Sequence, residues 1–310
     1  MTQSFRMIFL PALAMTISLL LKAESSWPEL RIDASLQAEL EQLEKEFAGQ
    51  VGIYARRLDS NHGAALHADT LFPTASLIKV PIAVGVFQKI EEGELSLEQN
   101  LTYDPALIGY PHAGNDVIQR LRTGSEVKLS HLVLLMLAAS DNHASLWCQA
   151  LAGGGGRINE LMAANGFDRI HVNSRTEGRR ENWREHGWGQ TTPRQMAELL
   201  AAIRERRILG PAASDSLYRF LSGAIFHQEA LGQIPPFVQT ASKQGAVSHS
   251  RSEVVVVNAP SGPYVFCVVT KNQEDRSWEA DNAGYLLIRD VSRLLWNHFE
   301  PASDWTPPQP

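Results

Sequence analysis

Along the chain the hydrophobic positions switch between a helical period and a strand period, and each switch predicts an element. From Asp33 to Phe47, Leu36, Leu40, Leu43 and Phe47 recur at helical spacing between Glu39, Glu41 and Glu44, which predicts an amphipathic helix. Val51 to Leu58 (VGIYARRL) then reads as a strand, with turn residues from Asp59 to Gly63 and a second strand from Ala64 to His67. Ser76 to Ile90 returns to helical spacing and ends near Gly93. Pro81, read as lying past its first turn, predicts a lost hydrogen bond or a kink. Leu129 to Leu151 reads as one strongly apolar helix, interrupted by Ser140-Asp-Asn142 and stopped by Gly153-Gly-Gly-Gly156. Ile158 to Asn165 predicts a short helix ended by Gly166.

Residues 167–190 show little periodicity and read as a long loop, a feature that in a compact domain is functional or mobile. Thr192 and Pro193 suit the N-cap and first position of a helix running through Met196 to Ile203. Ser214 to Phe226 is expected to be helical. After Pro235-Pro236 the strand period returns, in Glu253 to Asn258 and Tyr264 to Lys271, with a turn over 259–263. A helix is predicted from Ala280 to Phe299, and the tail 301–310 reads as disordered. Strand-rich segments thus come from both chain ends, with a helical block between them.

Composition changes this picture little. The 310 residues are 44% hydrophobic and 20% charged, and 28 basic against 34 acidic side chains leave a net charge of −6. No basic stripe is present, since Arg175 to Arg184 is interrupted by Glu177, Glu181 and Trp183, so no nucleic-acid partner is expected. Arg6 and the apolar run Met7 to Leu21, 15 residues with Pro11 inside, suit a secretory signal peptide over residues 1–23 cleaved near Ala23. The run is short for a membrane span, which needs roughly 20 residues. The expectation is a secreted or periplasmic monomer with no membrane contact after cleavage; an uncleaved anchor is the alternative. Cys148 and Cys267 lie in apolar segments and read as buried free thiols. Neither they nor the scattered histidines make a metal site, and no cofactor is predicted.

Three short motifs carry candidate chemistry. In Ser76-Leu-Ile-Lys79 a serine and a lysine share one helix face, so a desolvated amine beside a hydroxyl could act as its base. The spacing alone is weak, because Ser125-Glu-Val-Lys128 repeats it. Ser140-Asp-Asn142 is a polar triplet in an apolar helix and must find partners, either locally or along a cleft. Lys243-Gln-Gly245 places a lysine at a strand, with a glycine that lets backbone approach a ligand.

Together, in this order and at these separations, the three resemble the active-site set of class A β-lactamases and penicillin-binding proteins. The resemblance extends through SLIKVPIAV, Gly124 to Asn142 and TTPRQMAELL, over roughly residues 35–298. It implies an α/β fold of α+β type: an antiparallel sheet flanked by N- and C-terminal helices, with an inserted all-helical domain. The boundaries are then 24–75 plus 225–300 for the sheet domain and 76–224 for the helical one.

The same resemblance implies roles. Ser76 would be the nucleophile, Lys79 would take or relay its proton, and Ser140 would pass a proton to the leaving nitrogen. Lys243 would support Ser140 and hold positive potential under a substrate carboxylate. Asn142 would bind the substrate amide, and backbone N–H groups of Ser76 and of Ala246 or Val247, just after Gly245, would form the oxyanion hole. Arg175-Thr-Glu177 resembles the motif whose glutamate activates the deacylating water, so Glu177 is the candidate base. Three departures stand out: Asn182 lies one position beyond the expected asparagine, Gln244 replaces the hydroxyl residue that binds the substrate carboxylate, and the loop reads as long. Arg251 or Ser248 would then have to compensate for Gln244. The implied activity is opening of a β-lactam through an acyl-serine. The alternatives are a D-Ala-D-Ala peptidase or other serine amidase of the same fold acting on a cell-wall peptide, or a non-catalytic binding module.

Overall fold

The apolar runs from the two chain ends pair with each other in one sheet. In the computed structural model, residues 29–110 and 116–307 are described, so the predicted signal peptide lies outside them. The N-terminal part supplies β1 (Arg31–Ile32), β2 (Gln50–Arg57) and β3 (His62–Leu66); the C-terminal part supplies β9 (Thr240–Val247), β10 (Ser250–Val257) and β11 (Tyr264–Lys271). Their order is β1-β3-β2-β11-β10-β9. The ends of the chain meet at the antiparallel β2–β11 pair, where Ile53 faces Val268. The sheet is antiparallel except at its edge, where the two-residue β1 pairs in parallel with β3.

The four-valine run of β10 is buried on both faces, and its residues alternate between two cores. Val254 and Val256 join the cluster under the helical block, whereas Val255 and Val257 join the cluster under α1 (Ala34–Lys45) and α10 (Ala283–Phe299). Leu36 and Leu40 of α1 and Val291 and Leu295 of α10 are fully buried there. The segment after α10 does not run free: Trp305 packs edge-on against Trp296 at 6.5 Å. Both cysteines are buried and unpaired.

The helical block comprises α2 (Lys79–Glu91), α3 (Pro105–Ile108), α4 (Leu129–Leu137), α5 (Asn142–Leu151), α6 (Gly154–Ala164), α7 (Arg180–His186), α8 (Pro193–Arg204) and α9 (Pro211–Leu221). Short strands tie it together: β4 (Phe72–Pro73), β8 (Gly189–Thr191) and β7 (His171–Val172) in one sheet, β5 (Asn100–Thr102) and β6 (Glu126–Lys128) in another.

Four sequence expectations change. Ala75–Ile78 is a 3₁₀ turn and α2 begins only at Lys79, so Pro81 falls in the first helical turn, where no intrahelical N–H is needed. The predicted 129–151 helix is two helices, broken at Ser140-Asp141. The glycine run does not merely stop a helix, because Gly154–Gly156 open α6; a Cβ on Gly155 would lie 1.9 Å from Thr176 Oγ1. The stretch 167–190 carries β7, α7 and the start of β8, too short to leave a periodic signal. Ser125 and Lys128, the repeat of the serine–lysine spacing, end up on and before β6, with Lys128 ion-paired to Glu98 at 2.6 Å.

One buried ion pair locks α8 to the sheet. Arg56 of β2 and Glu198 of α8 are both essentially inaccessible and meet in a two-pronged contact of 2.7 and 2.8 Å. The Tyr54 hydroxyl donates to the same carboxylate at 2.7 Å, and Arg56 donates its remaining fork to Asn61.

Candidate active site

Ser76 is held where the end of β4 meets the edge strand β9. Ala75 before it adopts φ +43°, a left-handed conformation that side-chain-bearing residues seldom take. Gly245 of β9 permits the close approach: a Cβ there would lie 2.8 Å from Thr74 O and 2.9 Å from Ser76 N. β9 is an outermost strand, so its outward backbone groups are not used by the sheet. Ala246, next along it, lines the same cleft as Ser76.

Lys79 opens α2 one turn after Ser76 and is wholly buried. Its Nζ lies 3.0 Å from Ser76 Oγ, 3.0 Å from Ser140 Oγ and 2.9 Å from Asn142 Oδ1, and it also donates to the Ser140 carbonyl. Burial lowers its pKa to about 7, against the opposing pull of Asp116 and Asp141. At neutral pH a large fraction is therefore a free amine, whose lone pair can take the Ser76 proton.

The break between α4 and α5 brings Ser140 in. Ser140 has φ +59°, and Asp141 caps α5 by accepting from Ala144 N at 2.8 Å. The other Asp141 oxygen accepts from Val117 N and Ile118 N, at 2.6 and 3.1 Å. The triplet thus divides its work: Asp141 satisfies backbone, while Ser140 and Asn142 face Lys79. Lys243, also wholly buried, donates to Ser140 Oγ at 3.1 Å. With both lone pairs of Ser140 Oγ facing amines, its own proton is left to donate into the cleft. Burial, and then repulsion from Lys79, hold the Lys243 pKa well below the usual range. Its other contacts are the Gln244 carbonyl at 2.9 Å and Gln244 Oε1 at 3.0 Å.

These side chains open onto a cleft of about 610 Å³. Ser76, Ser140, Asn142, Gly245 and Ala246 line it, and Lys79 and Lys243 lie beneath. Tyr110 and Trp188 form one wall, in edge contact at 5.5 Å; Trp278 and Tyr285 stand at the other.

Two expected site residues lie elsewhere. Glu177 is exposed and lines a second cavity, of about 490 Å³, with Trp183 and Arg180; this cavity meets the first only through the shared wall residues Tyr110 and Trp188. The turn after Gly178 and the helix α7 carry this part of the loop outwards, and Asn182 bonds to Gln190 instead of facing Ser76. Arg251 is fully buried and outside the cleft lining. Its guanidinium stacks on Trp278 and Tyr285 at 4.6 and 4.7 Å and donates to the carbonyls of Val247, Ser250 and Ser277. It therefore supports the cleft wall from behind. Ser248 sits exposed in the β9–β10 turn.

Sequence reasoning missed three cleft acids: Asp116, Glu229 and Glu253. Glu253 had a readable signal, an acid directly before the buried four-valine run of β10. Asp116 accepts from Asn142 N at 3.0 Å and contacts His143 Nδ1 at 2.9 Å. Asp116, Asp141 and His143 offer ligand atoms within 4.8 Å of one another, yet their carboxylates are engaged by backbone amides and by the histidine ring.

With this geometry in place, comparison with known proteins is informative. The model of a family described as the beta-lactamase enzyme family matches residues 35–299. Beta-lactamase VEB-1 of Pseudomonas aeruginosa is 22% identical over 274 residues, 86% of this chain and 90% of that protein. The solved structure of PBP-A is 28% identical with a TM-score of 0.77, covering 88% of this chain and 99% of that one. A mutant of PBP-A, described as an acyl-enzyme complex with penicillin G, matches with the same score and identity over 89% and 100%.

Proposed function

The chain belongs to the beta-lactamase enzyme family as a class A-like serine hydrolase, and we propose that Ser76 is its nucleophile, opening β-lactam amides through an acyl-serine. The observation that carries this reading is the buried Lys79 amine, 3.0 Å from both Ser76 Oγ and Ser140 Oγ. Ser76 Oγ bonds to the carbonyl carbon as its proton passes to Lys79. The tetrahedral oxyanion accepts from the N–H groups of Ser76 and Ala246, donors worth about 3–4 kcal/mol each. The carbon–nitrogen bond then breaks: Ser140 gives its proton to the departing nitrogen and takes the one Lys79 had received from Ser76, 3.0 Å away, which restores both groups. Asn142, at the cleft surface, binds the amide side chain of the substrate.

Deacylation needs a water and a base on the acyl carbonyl. Glu177, the candidate base, lines the second cavity, and on this reading acylation outruns deacylation. Intact mass after mixing the protein with excess benzylpenicillin is expected to show a lasting penicilloyl adduct that Ser76→Ala abolishes. An adduct surviving in Ser76→Ala, or none in either protein, would overturn the assignment.

A further inference from the structure

Among the described residues the cleft is lined by four carboxyl groups and by no lysine or arginine. Asp116, Asp141, Glu229 and Glu253 all line it, whereas Lys79 and Lys243 are sealed beneath its floor. Two of the acids stand at the β9 end. Glu253 lies directly opposite Gln244 in the β9–β10 register. It accepts from Ala230 N at 3.0 Å, and Glu229 beside it is ion-paired with Arg289 at 2.8 Å. Burial, with Glu229 adding repulsion, raises the Glu253 pKa to about 8, and burial raises that of Glu229. The same desolvation would penalise any free carboxylate brought beside them.

Lys243, the cation nearest this end in the motif, has no donor left for a ligand. Its ammonium hydrogens face Ser140 Oγ, the Gln244 carbonyl and Gln244 Oε1. The Gln244 carboxamide is therefore a cap: its oxygen is turned down onto Lys243, and its Nε2 donors remain for a neutral oxygen acceptor in the cleft. A carboxylate entering here would have to displace that cap and would meet the acids before the lysine.

Resting on the acyl-serine reading above, we propose that Gln244, Glu229 and Glu253 make the cleft select acyl donors whose group beside the scissile nitrogen is an uncharged carbonyl, an ester or a carboxamide, and not a free carboxylate. Natural substrates of this class are amidated or internal peptide-like amides. Gln244 is the specificity-determining residue, and the half-buried Glu229 and buried Glu253 mark the ground beside it as a place where an extra carboxylate charge is costly.

The test compares Ser76 acylation by benzylpenicillin and by its methyl ester, followed by intact mass. Each rate is normalised to the compound's own alkaline hydrolysis, so that intrinsic ring reactivity cancels. The ester is expected to react at least about tenfold faster, a modest return for sparing the burial of a charge. Gln244→Thr should move the ratio at least about tenfold towards the free acid by uncapping Lys243. Equal normalised rates, or a faster free acid, would overturn the selectivity; an unchanged ratio in Gln244→Thr would remove Gln244 from it. Absence of an adduct from both compounds would instead sink the acyl-serine reading, and this inference with it.

Discussion

The protein buries charge in two places, under opposite rules. Between β2 and α8, Arg56 and Glu198 cancel each other, and every prong of the contact has a partner. Beneath the cleft, Lys79 and Lys243 are two buried amines with no ion pair among the described residues; burial lowers the pKa of both, and Lys79 lowers that of Lys243 further. A balanced pair with satisfied hydrogen bonds fixes where a helix sits on a sheet. An unbalanced pair is strained electrostatically, and the relief available to it is to lose a proton, which is what proton transfer from Ser76 requires.

Breaking each cluster should expose the difference. Lys79→Met is expected to slow acylation about a hundred- to ten-thousand-fold, while the melting temperature stays level or rises, because an uncompensated cation is replaced by a side chain of similar length. In the unmodified protein the acylation rate should climb as pH rises through about 7, where burial has brought the Lys79 amine to its neutral form. A pH-independent rate, or a normal rate in Lys79→Met, would take the proton from Lys79. Glu198→Ala should do the reverse. Stranding Arg56 in the core costs about 3–5 kcal/mol of stability, read by urea unfolding, with acylation per folded molecule unchanged. A neutral effect on unfolding would mean that Arg56 reaches water without its partner. The smallest effect is expected from Glu177→Gln. This exposed residue outside the cleft should leave the lifetime of the acyl-enzyme unchanged; a severalfold longer lifetime would show that the loop brings Glu177 to the acyl group.

Much of this molecule was legible in one dimension. The strand-rich ends, the inserted helices and the three motifs all follow from local rules, because an apolar period and a serine–lysine spacing are properties of neighbouring residues. Local rules also misled. Pro81 looked misplaced only because the 3₁₀ turn at Ala75–Ile78 and the helix after it share one apolar pattern. The helices either side of Ser140 look continuous because both are buried against the same core. Arg251 and Glu177 have the side chains expected for substrate binding and water activation, but direction decides such roles. Arg251 is engaged in the stack with Trp278 and Tyr285 behind the cleft lining, and Glu177 lines the second cavity.

By itself, then, the sequence determined which elements form, which chemistry is present and in what order it lies along the chain. Tertiary structure alone decided what that chemistry faces. Desolvation of Lys79 and the meeting of Glu229 with Glu253 join residues from separate segments, and the Lys243–Gln244 contact, though between neighbours, is turned into a cap only by the burial around it. Electrostatic energy depends on distances through space and on the exclusion of water, and neither is written in the spacing of residues along a chain.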